Sequence, residues 1–165
     1  MDRAIIVRPE FQPGRRIIAV SDIHGNLPFF RGLMEQVGLT RRDILVLVGD
    51  VLEKGWESLA LLRHVMELSR THTVYCICGN CDGLVLRFFE TDALDDRFFS
   101  SYLPQHPESC LRQMAREGGF DRTDDLPLLR RQLRAAFQRE WAFLRAMPTI
   151  VETEHLVFVH GGVPS

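Results

Sequence analysis

The sequence has no apolar run long enough to span a bilayer, and the short one at residues 4–7, behind Met1-Asp2-Arg3, is too brief for a signal-peptide core. Cysteine is scarce, four residues in 165, which excludes a disulfide scaffold and makes the cytoplasm the default location. Charge of one sign is lacking too. A formal net charge of −2 argues against a nucleic-acid duplex or a membrane surface held by bulk electrostatics. The local cluster Arg130, Arg131, Arg134 and Arg139 falls within a helical pattern and reads as a solvated helix face. Repeats and low-complexity tracts are absent. With 45% hydrophobic and 25% charged residues, what remains is one globular domain able to bury a core.

The N-terminal half alternates apolar runs with amphipathic stretches, the pattern of βα units on a parallel sheet. Residues 16–20 (RIIAV), 44–48 (ILVLV) and 73–78 (TVYCIC) read as strands. Between them, 27–37 and 57–70 show helical spacing, and Gly38 is placed to close the first helix. From 84 to 147 there is no strand pattern, only helical spacing interrupted by Pro104, Pro107, Gly118-Gly119 and Pro127. Residues 128–147 are the firmest helix there, with Leu129, Leu133, Ala136, Phe137, Trp141 and Leu144 on the buried side. This stretch reads as a helical insertion or cap. Strands resume at 149–152 and 155–159, as a hairpin around Thr153-Glu154.

Each strand except the hairpin's first arm ends in a polar, glycine-containing cluster: SDIHGN at 21–26, GDVLEKG at 49–55, GNCDG at 79–83 and HGG at 160–162. Parallel strands deliver their C-terminal ends to one edge, where ligands bind. The clusters therefore meet in space, bringing two carboxylates, two imidazoles and a carboxamide together. Such oxygen and imidazole donors suit manganese, iron, zinc or cobalt. Two cations about 3.5–4 Å apart hold a phosphoryl oxygen and lower the pKa of a water between them. Singly these signals are weak, since a Gly-Asp after a strand is usually a turn and a lone His before Gly-Gly usually a loop residue. Four clusters at four strand ends are harder to dismiss.

The order DIHGN, GDVLEKG, GNCD and HGG resembles the calcineurin-like metallophosphoesterases. The motifs are closest to the branch containing the serine/threonine protein phosphatases and the bacterial diadenosine tetraphosphate hydrolases. The resemblance runs from about residue 16 to 162 and leaves the helical middle unmatched. It implies an α/β fold, part of a β-sandwich flanked by helices (αββα), in a single domain over 1–165 with 84–147 inserted. It also implies a phosphatase whose two divalent transition metals, manganese favoured, hold a bridging hydroxide. Asp22 and His24 would hold the first cation, Asp50 would bridge, and Asn80 and His160 would hold the second. The implied catalytic set is Asp50, Asn80, Cys81, Asp82 and Glu53, with Lys54 and Asn80 on the substrate. Lys54 stands where the branch has a phosphate-contacting arginine, keeping the charge without the fork. Glu53 stands where it has an aspartate that orients the catalytic histidine. The substrate would be a phosphorylated small molecule, a nucleotide or a phosphoprotein.

Two departures qualify the resemblance. The family's leaving-group histidine is replaced by Cys81, a differently tuned acid, so good leaving groups would be favoured. The form GNCD also resembles a phosphodiesterase subgroup of the same superfamily. Secondly, the sequence ends after HGGVPS, and nothing in it matches the family's last histidine ligand. The expectation is a chain truncated at its C-terminus, completed by the missing segment or by another chain. A catalytically silent metal-binding or regulatory module is the rival class. A Rossmann-like nucleotide binder is set aside, because a glycine-rich fingerprint is lacking after the first strand. Cys76, Cys78 and Cys81, with Cys110 as a distant fourth, have near-zinc spacing but read as buried thiols, Cys81 being the redox-sensitive exception.

Overall fold

The computed structural model describes residues 4–90, 96–120, 122 and 124–162, so parts of the helical middle (91–95, 121 and 123) and residues 163–165 lie outside the description. In chain order the elements are β1 (Ile6–Val7), β2 (Ile17–Val20), α1 (Leu27–Gln36), β3 (Ile44–Val48), α2 (Ser58–Leu68), β4 (Thr73–Ile77) and α3 (Asn80–Glu90). They continue with α4 (Asp96–Gln105), α5 (Cys110–Gly118), α6 (Leu126–Ala136), α7 (Gln138–Ala146), β5 (Ile150–Glu152) and β6 (Val157–Val159). Two three-stranded sheets result, one ordered β2-β3-β4 and one ordered β1-β5-β6.

The first sheet is wholly parallel. Its middle strand, β3, is apolar throughout because both of its faces are covered. Ile44 and Val46 meet Ile77 and Val151 in a small cluster between the sheets. Leu45 and Leu47 point the other way, into a larger core that includes Phe30, Leu62, Phe88 and Leu129. Each such fully buried side chain contributes about 1.5–3 kcal/mol of transfer free energy. On the second sheet β5 pairs antiparallel with β6, the expected hairpin, and parallel with β1. Strand β1 was not expected, because two residues carry no period and its partner lies far along the chain. The outward side of this sheet leaves Ile6 and Val157 exposed. The architecture is the α/β sandwich of the sequence reading, with helices against the first sheet.

The helical middle differs in three ways from its sequence pattern. The stretch 128–147 is not one helix. It leaves helical geometry at Phe137 (φ −116°, ψ 41°), whose ring turns into the core. Pro127 does not interrupt anything, since it sits in the first turn of α6, capped by Asp125, where its missing N–H costs nothing. The arginine cluster is only partly solvated. Arg130 is 6% exposed and donates to the carbonyl of Phe88 and to Asp96, while Arg134 donates to the carbonyl of Phe89. These carbonyls close the C-terminal end of α3, which needs donors from outside the helix.

Candidate metal centre

Parallel register brings the C-terminal ends of β2, β3 and β4 to one edge. The first two loops then stay side by side: Asp22 donates its N–H to Gly49, His24 to Asp50 and Gly25 to Val51. Side chains at these positions face the edge only through an unusual backbone. Among the described residues, the non-glycine positions with positive φ are Asp22 (56°), His24 (50°), Asp50 (51°), Glu53 (67°) and Lys54 (62°). Each costs about 1–3 kcal/mol, and such strain concentrates at functional sites.

The third loop is held by Asp82. Its carboxylate is fully buried and accepts from the N–H groups of Gly79 (2.9 Å), Leu52 (2.9 Å) and Val51 (3.4 Å). Burial raises its pKa, opposed by those three bonds. Helix α3 begins at Asn80, inside the motif rather than after it, and the N–H of Cys81 in its first turn donates to Asp50 Oδ1 at 2.9 Å. That backbone donor is a functional group the sequence reading missed. The signal for it was an acid followed by an apolar run, the composition of a helix start.

The donors converge on Asp50, which is 3% exposed. Oδ2 faces His24 Nε2 at 3.8 Å and Oδ1 faces His160 Nε2 at 3.4 Å. Asp22 Oδ1 lies 3.5 Å from His24 Nε2, and Asn80 Oδ1 lies 3.2 Å from His160 Nε2. Both rings are anchored on their other nitrogen, His24 Nδ1 at the carbonyl of Leu52 (3.3 Å) and His160 Nδ1 at that of Val48 (2.8 Å). A carbonyl accepts only, so each Nδ1 carries a proton, and in the neutral ring Nε2 then offers a lone pair, as a metal ligand requires. Lone pairs of imidazole and carboxylate facing each other at this range repel unless a proton or a cation lies between them. The Lys54 ammonium meets one of them, 3.1 Å from His24 Nε2. Donor chemistry, tautomers and convergence all fit divalent cations.

Two donor groups form, His24–Asp50–Cys81 and Asp22–Asp50–His160, the ligand atoms within each lying within 4.8 Å of one another and Asp50 being common to both. A hydrogen bond from Ser21 holds the Asp22 carboxyl below its ordinary value. Cys81, with its thiol at the site, is pushed up to about 12 by burial and then by Asp50. Glu53 points away from the donor groups, toward the helical middle of the chain. Its buried carboxylate accepts from the Tyr102 hydroxyl in α4 and from the N–H of Cys110 at the start of α5. Tyr102 is a partner that no sequence pattern announced. Lys54, the chain's only lysine, is exposed beside the candidate donors. The remaining cysteines are free, Cys76 and Cys110 buried with pKa values raised by desolvation, as inert core thiols are. His64 packs against Phe30, and His106 pairs with Glu108 and stacks on Tyr102. Among the described residues, neither histidine joins the donor groups.

Among the described residues, no helix is long and apolar enough to cross a membrane. The family model described as calcineurin-like phosphoesterase matches residues 15–164. Among solved structures the chain is similar to a proposed diadenosine tetraphosphatase, at 20% identity and a TM-score of 0.63, covering 98% of this chain and 56% of that one. It is similar to the cold-active protein-tyrosine phosphatase of a psychrophilic Shewanella, at 16% identity and a TM-score of 0.55, covering 99% and 45%. A serine/threonine phosphatase of Saccharomyces cerevisiae is 14% identical with a TM-score of 0.53, covering 98% and 42%. At these identities the likeness is one of fold, and the chain spans about half the length of each.

Proposed function

The chain belongs to the calcineurin-like phosphoesterase family, and from that premise we propose that it hydrolyses phosphate esters with two divalent transition-metal cations. Asp22, His24 and Asp50 would hold one cation, and Asp50, Asn80 and His160 the other. The observation that carries this reading is the pair of imidazoles, each locked by a backbone carbonyl, presenting Nε2 lone pairs to opposite oxygens of Asp50. When bound, the cations would polarise a phosphoryl oxygen and lower the pKa of a shared water toward neutrality.

The chain's own residues supply the rest. Asp50 keeps both donor groups in register. Lys54, on an exposed loop, leaves His24 and steadies the phosphoryl oxygens by charge. Asn80 turns its carboxamide oxygen to His160 and its nitrogen to the Cys81 sulfur, from which it would reach a phosphoryl oxygen of the substrate. Asp82 acts at one remove, fixing the loops that carry Asp50 and Asn80. Glu53 ties the same loop to Tyr102, so the helical insertion shapes the approach of the substrate. Phosphorylated small molecules, nucleotides and phosphoproteins are the substrate classes this reading admits. Four free thiols suit a reducing compartment, and the cytoplasm is the proposed location.

The buried Cys81 in place of a leaving-group histidine favours esters of acidic alcohols and phenols, and makes a diester substrate the second reading. The test is hydrolysis of p-nitrophenyl phosphate and of its bis-ester after loading with manganese, zinc or cobalt. Metal-dependent turnover of either, lost in Asp50→Asn, supports the enzyme. Metal binding with no turnover of either leaves the silent regulatory module.

A further inference from the structure

The thiol of Cys81 stands in a donor group of its own. Its Sγ, a ring nitrogen of His24 and a carboxylate oxygen of Asp50 all lie within 4.8 Å of one another. The position is fixed from two sides. The N–H of Cys81 is bonded to Asp50 Oδ1 at 2.9 Å, which sets its Cβ in the first turn of α3. Asn80 Nδ2 donates to the sulfur at 3.5 Å, so the sulfur already acts as an acceptor facing the site. The residue is 7% exposed.

We propose that Cys81 is a ligand of the first cation, which then sits among imidazole, carboxylate and thiolate donors with Asp22 beside them. This inference rests on the metal-centre reading above. Coordination exchanges the S–H proton, released to water, for a sulfur–metal bond. Zinc takes sulfur at about 2.3 Å and imidazole nitrogen at about 2.0–2.1 Å, so donors sharing one tetrahedral cation sit about 3.3–3.7 Å apart. A donor span of at most 4.8 Å closes to that by a side-chain shift of about 1 Å.

Two consequences set this apart from a site of oxygen and nitrogen alone. A thiolate donor selects zinc, iron or cobalt over manganese, which prefers hard oxygen ligands. A coordinated thiolate also has no proton to give, so the leaving group must depart as its own anion. That confines the substrate class to esters or anhydrides with acidic leaving groups. Lys54, whose ammonium lies 3.1 Å from His24 Nε2, would be free for the phosphoryl group once His24 is a ligand.

The test is cobalt(II) loading of the wild-type chain and of Cys81→Ser, Cys76→Ser and Cys78→Ser. The expected result is a near-ultraviolet sulfur-to-cobalt charge-transfer band in wild type, kept in the Cys76 and Cys78 variants and lost in Cys81→Ser. X-ray absorption on the wild type needs no variant and should show a sulfur scatterer at about 2.3 Å. Cobalt bound without the band or the scatterer overturns the role of Cys81 and leaves the metal centre standing. A band that survives Cys81→Ser also overturns it. No bound cobalt overturns both readings together.

Discussion

Across a separation of 80 residues, Nε2 of His160 faces Oδ1 of Asn80 at 3.2 Å, while the ring's other nitrogen is committed to the Val48 carbonyl. Two acceptors held face to face gain nothing from each other and gain a great deal from a cation between them. Metal binding should therefore be felt as stability. Added cobalt or zinc is expected to raise the melting temperature of the wild type, since a ligand bound only by the native state stabilises it. His160→Ala should show a distinctly smaller rise at the same metal concentration, measured by calorimetry. An equal rise in both would remove His160 from the ligand set.

Asp82 satisfies three backbone donors from two loops while being fully buried. Asp82→Ala orphans Gly79, Leu52 and Val51 at once and should cost about 3 kcal/mol in the metal-free protein. Urea denaturation reads this directly. A loss below about 1 kcal/mol would mean the loops hold their positions without it.

At Gly79 the third loop packs directly against the second. A methyl group there would overlap the amide nitrogen and a carboxylate oxygen of Asp50. Gly79→Ala is expected to destabilise by about 1–3 kcal/mol through overpacking. It should also weaken metal binding at least about 10-fold, the cost of disturbing groups that orient ligands. Titration with a competing chelator measures the second effect, and unchanged affinity would show that the loops can separate without harm.

Away from the site, Asp43 pins the start of β3. Arg16 reaches it with two nitrogens and Thr40 with its N–H and hydroxyl, and these bonds hold its carboxyl well below the usual carboxylate value. In the unfolded chain the group takes up a proton near pH 4, before the native state does. Its stabilisation is thus complete above that range and is lost as the pH falls toward the depressed native value. Asp43→Asn should be less stable than wild type at neutral pH, with the difference shrinking as the solution is acidified through about pH 4 to 2. Denaturation midpoints across that range check the sign; a constant difference would contradict it.

The fold was legible where periodicity and termination agreed. The three βα units stood out because β3 is apolar on both faces and α1 ends at Gly38, whose φ of 59° suits glycine. Strand β1 was invisible, since its pairing with β5 depends on residues more than a hundred positions away. The break at Phe137 was equally hidden, because a buried ring and a helical stripe look alike in sequence. In the site, the strand pattern put Asp22, His24, Asp50, Asn80 and His160 at strand ends, the resemblance implied their roles, and the structure gathers their donor atoms around Asp50. What sequence withheld were groups without a motif. They are the N–H of Cys81, the hydroxyl of Tyr102 on Glu53, and the carbonyls of Leu52 and Val48 that set both imidazole tautomers.

A pair of cations sharing Asp50 would be retained by the native chain, and metal content by elemental analysis tests this most directly. The wild type is incubated with manganese, zinc and cobalt in turn, freed of loosely held metal and compared with Asp50→Asn. About two cations per chain in the wild type, with most of both lost when the shared carboxylate is neutralised, is the expected result. No retained metal under any of these conditions, or full retention in Asp50→Asn, would contradict it.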